Sequence, residues 1–196
     1  MFETLFIIFL MISIIIYTYK YKAKIKHVIA YDNKSYIVND LIDAKDAANT
    51  LAKIMETLDK LLNKILSNNT TPTPEDNKYI GYIRIIKERL PYVKISETLT
   101  TSEYTSYSVN KGEELVFCIR DRKKYKIQPL NELLYVAIHE IAHIGSPEIG
   151  HTQLFHEINL YLLKKAVEYN IYKYVDYNVD NREYCGMILR TTILNN

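Results

Sequence analysis

Cysteine and net charge are both scarce in this chain of 196 residues. The two cysteines, Cys118 and Cys185, lack C-x-x-C spacing, and two cysteines cannot form a disulfide-rich scaffold. We therefore expect free thiols in a reducing compartment. The 25 Lys and Arg residues nearly balance the 23 Asp and Glu residues, so the formal net charge is +2. This balance excludes a protein whose overall field is built to hold nucleic acid and leaves only a local basic patch for that role.

The chain also lacks an internal repeat, a phosphate-binding loop and an order of Ser, His and Asp that would indicate nucleophilic catalysis. Hydrophobic residues make up 48% of the chain and charged residues 24%. This composition excludes a disordered or collagen-like protein. The length suits one globular domain with an appendage.

Charged residues are absent from residues 4–19 (TLFIIFLMISIIIYTY). As a helix this stretch would be about 24 Å long, which is short of a ~30 Å hydrocarbon core unless flanking residues extend it. A cleaved signal peptide would need a basic start and a small-residue cleavage site, and a buried core helix would show a polar face. We therefore predict an uncleaved transmembrane anchor at residues 1–19.

Four lysines follow the apolar stretch and none precedes it: Lys20, Lys22, Lys24 and Lys26. By the positive-inside rule, the chain would be a single-pass membrane protein with its N-terminus outside and its remaining residues on the cytoplasmic side. The basic juxtamembrane segment 20–27 would contact anionic membrane lipid.

Hydrophobic periodicity predicts an α+β fold for the rest of the chain. A long amphipathic helix is expected over residues 40–66, and its wide apolar stripe favours packing on its own domain over a coiled-coil seam. Thr73 and Pro74 indicate the start of a second helix. The other expected elements are a hairpin at 28–38, a strand at 114–120, helices at 130–144 and 152–169, and strands at 171–177 and 186–194.

Five of the seven residues from 120 to 126 are basic. Such a run is typical of a solvated hairpin tip or loop. As a functional feature it would be a local anchor for phosphate, nucleic acid or an acidic substrate. The sequence leaves both interpretations open.

Histidine is rare, with five in the chain, yet four of them lie between residues 139 and 156. His139, Glu140 and His143 form an H-E-x-x-H motif on the predicted helix 130–144. Positions i and i+4 of a helix lie on one face, so both imidazoles can bind one Zn²⁺ ion. Glu140 is displaced around the helix and can reach a water on that ion, as a zinc hydrolase requires. Two ordinary histidines on a surface helix are the alternative, but this helix has little polar face.

A catalytic zinc ion usually has three protein ligands and a water. His151 is the best third ligand, because Gly145 ends the helix and Gly150 permits a sharp turn just before it. Glu148 and His156 are the alternatives.

These residues resemble the WLM and SprT-like zinc metallopeptidases. The signature of that family is H-E-x-x-H, a short loop, Gly-His and then a Phe that opens a helix, which here reads His151 and Phe155. The preceding strand and turn (NKGEELVFCIRDR) also fit. The sequences PEIGH and YCGM are similar to those of membrane-anchored WLM-like proteins of large DNA viruses of eukaryotes. One departure is the seven-residue spacer between His143 and His151, because the wider family usually has five.

The resemblance implies a small zincin-like domain at residues 28–196, with its core at about 104–170, in which the H-E-x-x-H helix accompanies a short sheet. It also implies that His139, His143 and His151 bind zinc, that Glu140 is the catalytic base, and that the chain resides in a host or virion membrane.

We therefore predict a membrane-anchored zinc metallopeptidase that hydrolyses protein or peptide substrates through a zinc-bound water activated by Glu140. Tyr161 and His156 are candidates for the oxyanion donor. One alternative is a non-catalytic, membrane-anchored zinc-binding scaffold or adaptor, in which a fourth ligand such as Cys185 closes the metal site. Another is a lipid- or nucleic-acid-binding scaffold that uses the two basic segments. Nothing in the sequence indicates which substrate is cleaved or an oligomeric state.

Overall fold

The computed structural model describes residues 4, 6–13, 25–67, 72–190 and 194. Within these residues the fold is mixed α/β, and groups of strands alternate along the chain with pairs of long helices. In chain order the elements are β1 (Ile25–Ile29), β2 (Ser35–Asn39), α1 (Ala44–Ser67), α2 (Pro74–Arg89), a 3₁₀ turn (Leu90–Tyr92), β3 (Lys94–Glu97), β4 (Tyr107–Val109), β5 (Glu114–Phe117), α3 (Leu130–Gly145), α4 (Gln153–Glu168), β6 (Arg182–Tyr184) and β7 (Met187–Leu189).

Five strands form the main sheet in the order β1-β2-β3-β5-β4. The three central strands, β2, β3 and β5, are parallel, and both end strands are antiparallel to their neighbours. Helices α1 and α2 form the crossover between the parallel strands β2 and β3, since a parallel pair needs such a connection. Strand β4 lies at one end of the sheet and contacts α3.

Helix α1 packs on its own domain, as the width of its apolar stripe predicts. Its buried residues include Leu51, Leu58 and Leu62, each at most 1% exposed. The helix contacts β1, β2 and β3 on one side and α2, α3 and α4 on others. This contact pattern is that of a central core helix, so the coiled-coil alternative is excluded.

Helix α2 begins with the predicted cap. The Thr73 hydroxyl accepts a hydrogen bond from the Asp76 backbone N–H (3.1 Å), and the Asp76 carboxylate accepts one from the Thr73 backbone N–H (3.0 Å). Asp76 also accepts a hydrogen bond from the Tyr161 hydroxyl (2.8 Å) and pairs with Lys165 (3.0 Å). This capping box therefore ties the start of α2 to helix α4.

The predicted transmembrane helix is contradicted. Among the described residues, no helix has the length and apolar character that crossing a membrane requires. Of the predicted anchor, only residue 4 and residues 6–13 are described; they are helical and exposed. Residues 1–3, 5 and 14–24 lie outside the described residues.

The localisation predicted from this anchor is corrected with it. The single-pass membrane assignment, with the N-terminus outside and the domain on the cytoplasmic side, required a spanning helix, and the described residues contain none that could serve. Most of the basic segment 20–27 also lies outside the described residues. The expected fold class, α+β with a membrane helix, is therefore corrected to the mixed α/β fold given above, whose described residues include no membrane-spanning helix.

The cysteines are not free thiols as expected. Cys118, just after β5, forms a disulfide with Cys185, and their Cα atoms are 6.0 Å apart. Cys185 and Gly186 both have positive φ (51° and 79°) and form the tight turn between β6 and β7. The disulfide thus attaches the β6–β7 hairpin to the main sheet. The expected strand at 171–177 is irregular backbone, and that at 186–194 is reduced to β7 within its described residues.

Candidate functional site

Helix α3 presents two histidines on one face. Ala137, Ile138 and Ile141 are fully buried and fix how the helix sits in the core. His139 and His143 lie one turn apart on the remaining, partly exposed face, and their ring centroids are 5.2 Å apart. The helical period that the sequence indicates is therefore what brings the two rings together.

The loop after α3 returns His151 to the same face. Gly150 has a φ of 84°, in the left-handed region that favours glycine. Helix α4 begins two residues after His151, and the Thr152 hydroxyl caps it by accepting a hydrogen bond from the Phe155 backbone N–H (3.3 Å). His151 is thus held between a sharp turn and a helix cap.

The rings of His139, His143 and His151 form one cluster. Their candidate ligand nitrogens all lie within 4.8 Å of one another, and the Nε2 atoms of His139 and His151 are 3.1 Å apart. Two nitrogens bound to a tetrahedral zinc ion at 2.0–2.1 Å would be about 3.3 Å apart. The phenyl ring of Phe155 stacks on His143 at a centroid distance of 4.1 Å. The donor set and its spacing therefore fit a zinc ion.

Burial keeps the two helix histidines neutral. It lowers the pKa of His139 to about 3, and the neighbouring histidines add to the effect. Burial also lowers the pKa of His143 to about 4, with a further contribution from His151. Neutral imidazole is the form that binds a metal ion, so both rings are ready to bind at neutral pH.

Glu140 lies next to this cluster and lines the cleft above it. The residue is only 5% exposed, and burial raises its pKa to about 7. A carboxyl group whose pKa is near the working pH can both accept and return a proton. The environment of Glu140 is therefore suited to general base and acid chemistry.

A cleft of about 910 Å³ opens over the histidines. Its walls are strand β4 with the residues before it, the loop that carries His151, and the β6–β7 hairpin. The Lys111 ammonium donates a hydrogen bond to the Pro147 carbonyl oxygen, which ties the turn between β4 and β5 to the histidine loop. The cleft is thus framed by elements that are far apart in the chain.

The alternative ligands lie apart from the cluster. Glu148 lines the cleft but is exposed, and the group of converging ligand atoms consists of the three histidines. His156 is exposed, with its ring centroid 6.1 Å from that of His151. Cys185 is in the disulfide and is not available as a fourth thiolate ligand.

Tyr161, one of the expected oxyanion donors, does not line the cleft. The Tyr161 hydroxyl is directed at Asp76. Tyr184, which belongs to the sequence YCGM, does line the cleft. Its hydroxyl is hydrogen-bonded with that of Ser106, which in turn accepts a hydrogen bond from the Cys118 backbone N–H (2.9 Å). Only the tertiary fold brings these residues together, so no local pattern pointed to them.

The basic run 120–126 is divided by the fold. Arg120 is buried and pairs with Glu97 and Asp43, both at 2.6 Å. Arg122 donates a hydrogen bond to the Tyr104 carbonyl oxygen (2.6 Å). The run therefore has a structural part, and a nucleic-acid role for its exposed lysines stays a prediction.

Comparison with known proteins gives viral relatives. The chain is 36% identical over 162 residues to the uncharacterized protein R325 of Acanthamoeba polyphaga mimivirus, covering 83% of this chain and 80% of that protein. It is 37% identical over 99 residues to the uncharacterized protein 136R of Invertebrate iridescent virus 6, covering 48% of this chain and 52% of that protein. The expected relationship to viral proteins is therefore confirmed.

No protein-family model matches the chain. Among solved structures, Wss1 from Saccharomyces cerevisiae is similar with a TM-score of 0.47 and 15% identity, over 68% of this chain and 88% of that one. Membership of the WLM and SprT-like peptidases stays a prediction.

Proposed function

The chain belongs to the family of the mimivirus protein R325, and we propose that it is a zinc-dependent metallopeptidase. The observation that carries this proposal is the convergence of His139, His143 and His151 at the base of a cleft that Glu140 also lines. The H-E-x-x-H motif and the resemblance to WLM-type peptidases support the same conclusion.

Three ligands favour a catalytic site over a structural one. A structural zinc site usually has four protein ligands, whereas a catalytic site keeps one position open. Within the described residues the converging group supplies three histidines, and the disulfide occupies Cys185. An open position facing the cleft would admit water and substrate. This argues against the scaffold or adaptor alternative.

In the proposed hydrolysis, the three histidines and Glu140 have different roles. The three histidines would hold a zinc ion, which would supply Lewis acidity to a water molecule in the cleft. Glu140 would accept a proton from the water that attacks the peptide carbonyl, and would then give that proton to the leaving amine. Burial strengthens the basicity of Glu140, because it raises the pKa of this carboxyl group.

The walls of the cleft suit an extended peptide. Strand β4 lies at the edge of the sheet, and its residues Tyr107 and Ser108 line the cleft. An edge strand has a row of unpaired backbone N–H and C=O groups, with which an extended peptide can form hydrogen bonds. We therefore infer that the substrate is a polypeptide bound in extended form across the histidines.

The test combines metal analysis with proteolysis. Purified full-length protein, loaded with zinc and desalted, is assayed for zinc content and for cleavage of unfolded casein. His143→Ala and His151→Ala should lose both zinc and cleavage, whereas Glu148→Ala and His156→Ala should keep zinc. Glu140→Gln should keep zinc and lose cleavage by roughly 10²–10⁴-fold, as expected for removal of a general base. A wild-type protein that holds no zinc, or cleavage that survives in Glu140→Gln, would overturn the proposal.

A further inference from the structure

Helix α4 carries a polar residue where its neighbours are apolar. Asn159 is fully buried, and residues around it on the helix, Phe155, Ile158 and Leu162, are fully buried too. Burying an amide is unfavourable unless its hydrogen-bonding groups are satisfied. The Asn159 Nδ2 atom lies 3.4 Å from Nδ1 of His139, and its Oδ1 atom has no hydrogen-bond partner among the described residues.

The contact reaches the side of His139 that faces away from the cluster. Nε2 of His139 is the atom that approaches His151, at 3.1 Å. If Nε2 binds a metal ion, the neutral ring carries its proton on Nδ1, which then needs an acceptor. The Nδ2 group of an amide cannot accept, but Oδ1 can. A half-turn of the amide exchanges the two atoms, because they have nearly the same shape.

We propose that Asn159 is a positioning residue for the metal centre, and that its Oδ1 accepts a hydrogen bond from the Nδ1–H of His139 when Nε2 binds zinc. This inference rests on the proposed zinc site. The hydrogen bond fixes both the tautomer and the ring orientation of His139, so that Nε2 faces the ion.

An amide suits this position better than a hydrophobic residue or a fixed carboxylate. When Nδ1 of His139 carries no proton, the Asn159 Nδ2 group, which lies 3.4 Å away, can donate to it. With metal bound, its Oδ1 accepts from the protonated Nδ1. Asn159 therefore has a partner in both tautomers of His139 and buries no charge in either.

The test measures zinc affinity by competition with a chromophoric chelator, using the full-length protein. Asn159→Leu removes the acceptor at similar size and should weaken zinc binding by about 10–100-fold. Asn159→Asp restores an acceptor and should recover most of that loss. Tyr161→Phe is the matched control, because it removes from the same helix a hydroxyl that donates to Asp76 and not to His139. The zinc affinity of this variant should equal that of the wild type.

A spectroscopic measurement on the wild-type protein gives a second, independent readout. Long-range ¹H–¹⁵N spectra of the zinc-loaded protein should show His139 protonated at Nδ1 and metal-bound at Nε2, with slow exchange of the Nδ1 proton. This result does not depend on whether the Leu variant folds. Metal binding through Nδ1, or rapid exchange of that proton, would overturn the inference.

The outcomes separate the inference from the proposed function. If the wild-type protein binds no zinc, the proposed function fails and this inference fails with it. If the wild type binds zinc and Asn159→Leu binds it equally well, the metal site stands and the role of Asn159 is refuted.

Discussion

Removing the charge of Glu140 should stabilise the metal-free protein at alkaline pH. Glu140 is only 5% exposed, and burial is the cause that raises its pKa from the ordinary 4.5 to about 7. The folded state therefore holds a proton that the unfolded state releases, and unfolding becomes easier as the pH rises through this interval. Glu140→Gln has no such charge to bury.

The magnitude follows from the two pKa values. The difference of about 2.5 pKa units corresponds to about 3 kcal/mol at 1.36 kcal/mol per unit. The penalty is fully present above the folded-state pKa. It falls to about 1 kcal/mol at pH 5, because that pH is close to the ordinary pKa of 4.5 that Glu140 has in the unfolded chain. Glu140→Gln should thus raise the free energy of unfolding by about 3 kcal/mol at pH 8 and by much less at pH 5.

Urea unfolding of the chelator-treated protein at both pH values measures this difference. Glu148→Gln is the control, because Glu148 is exposed on the loop that carries His151; it should change the free energy of unfolding little at either pH. A Glu140→Gln variant that is less stable than the wild type at pH 8, or whose gain does not shrink at pH 5, would refute the assignment of a destabilising buried charge.

Elements with a strong local signal could be predicted from the sequence. Helix α1 follows from a regular apolar spacing and spans 44–67, where 40–66 was expected. The start of α2 follows from Thr73 and Pro74, because a capping box uses residues within one turn. Likewise, one turn of α3 separates His139 from His143, so the helical period alone places their rings together.

Features that depend on distant residues could not be predicted in the same way. The disulfide joins cysteines 67 positions apart, and spacing alone says nothing about which chain segments meet in space. Tyr184 lies in the cleft on a hairpin that the disulfide and the contact with Ser106 attach to the sheet. The sequence does show that Asn159 is a polar residue on an otherwise apolar helix face. Its contact with His139 could not be predicted, because His139 lies on another helix.

The prediction of a transmembrane helix from the hydropathy of the N-terminus was wrong for a different reason. A run of apolar residues shows only that this segment is hydrophobic, whereas a membrane span also requires a helix of sufficient length. Among the described residues no helix meets that requirement. Sequence composition therefore overstated what the described structure supports.

Two further predictions concern stability. Burial opposes the charge of Asp76, but hydrogen bonds from Thr73 and the contact with Lys165 outweigh it and hold the pKa of this carboxyl below its usual range. Urea titrations should therefore show that Asp76→Asn is less stable than the wild type at pH 7. This difference in the free energy of unfolding should narrow as the pH falls below about 4, where Asp76 of the unfolded chain takes up a proton. The disulfide closes a long loop, so Cys185→Ser should lower the free energy of unfolding by about 2–4 kcal/mol. Cys118 is its partner, and Cys118→Ser should lower stability equally, with no further loss in the double variant. Reductant should bring the wild type to the level of these variants and leave them unchanged; a wild type whose unfolding curve is the same with and without reductant would show that the bond contributes nothing to the fold.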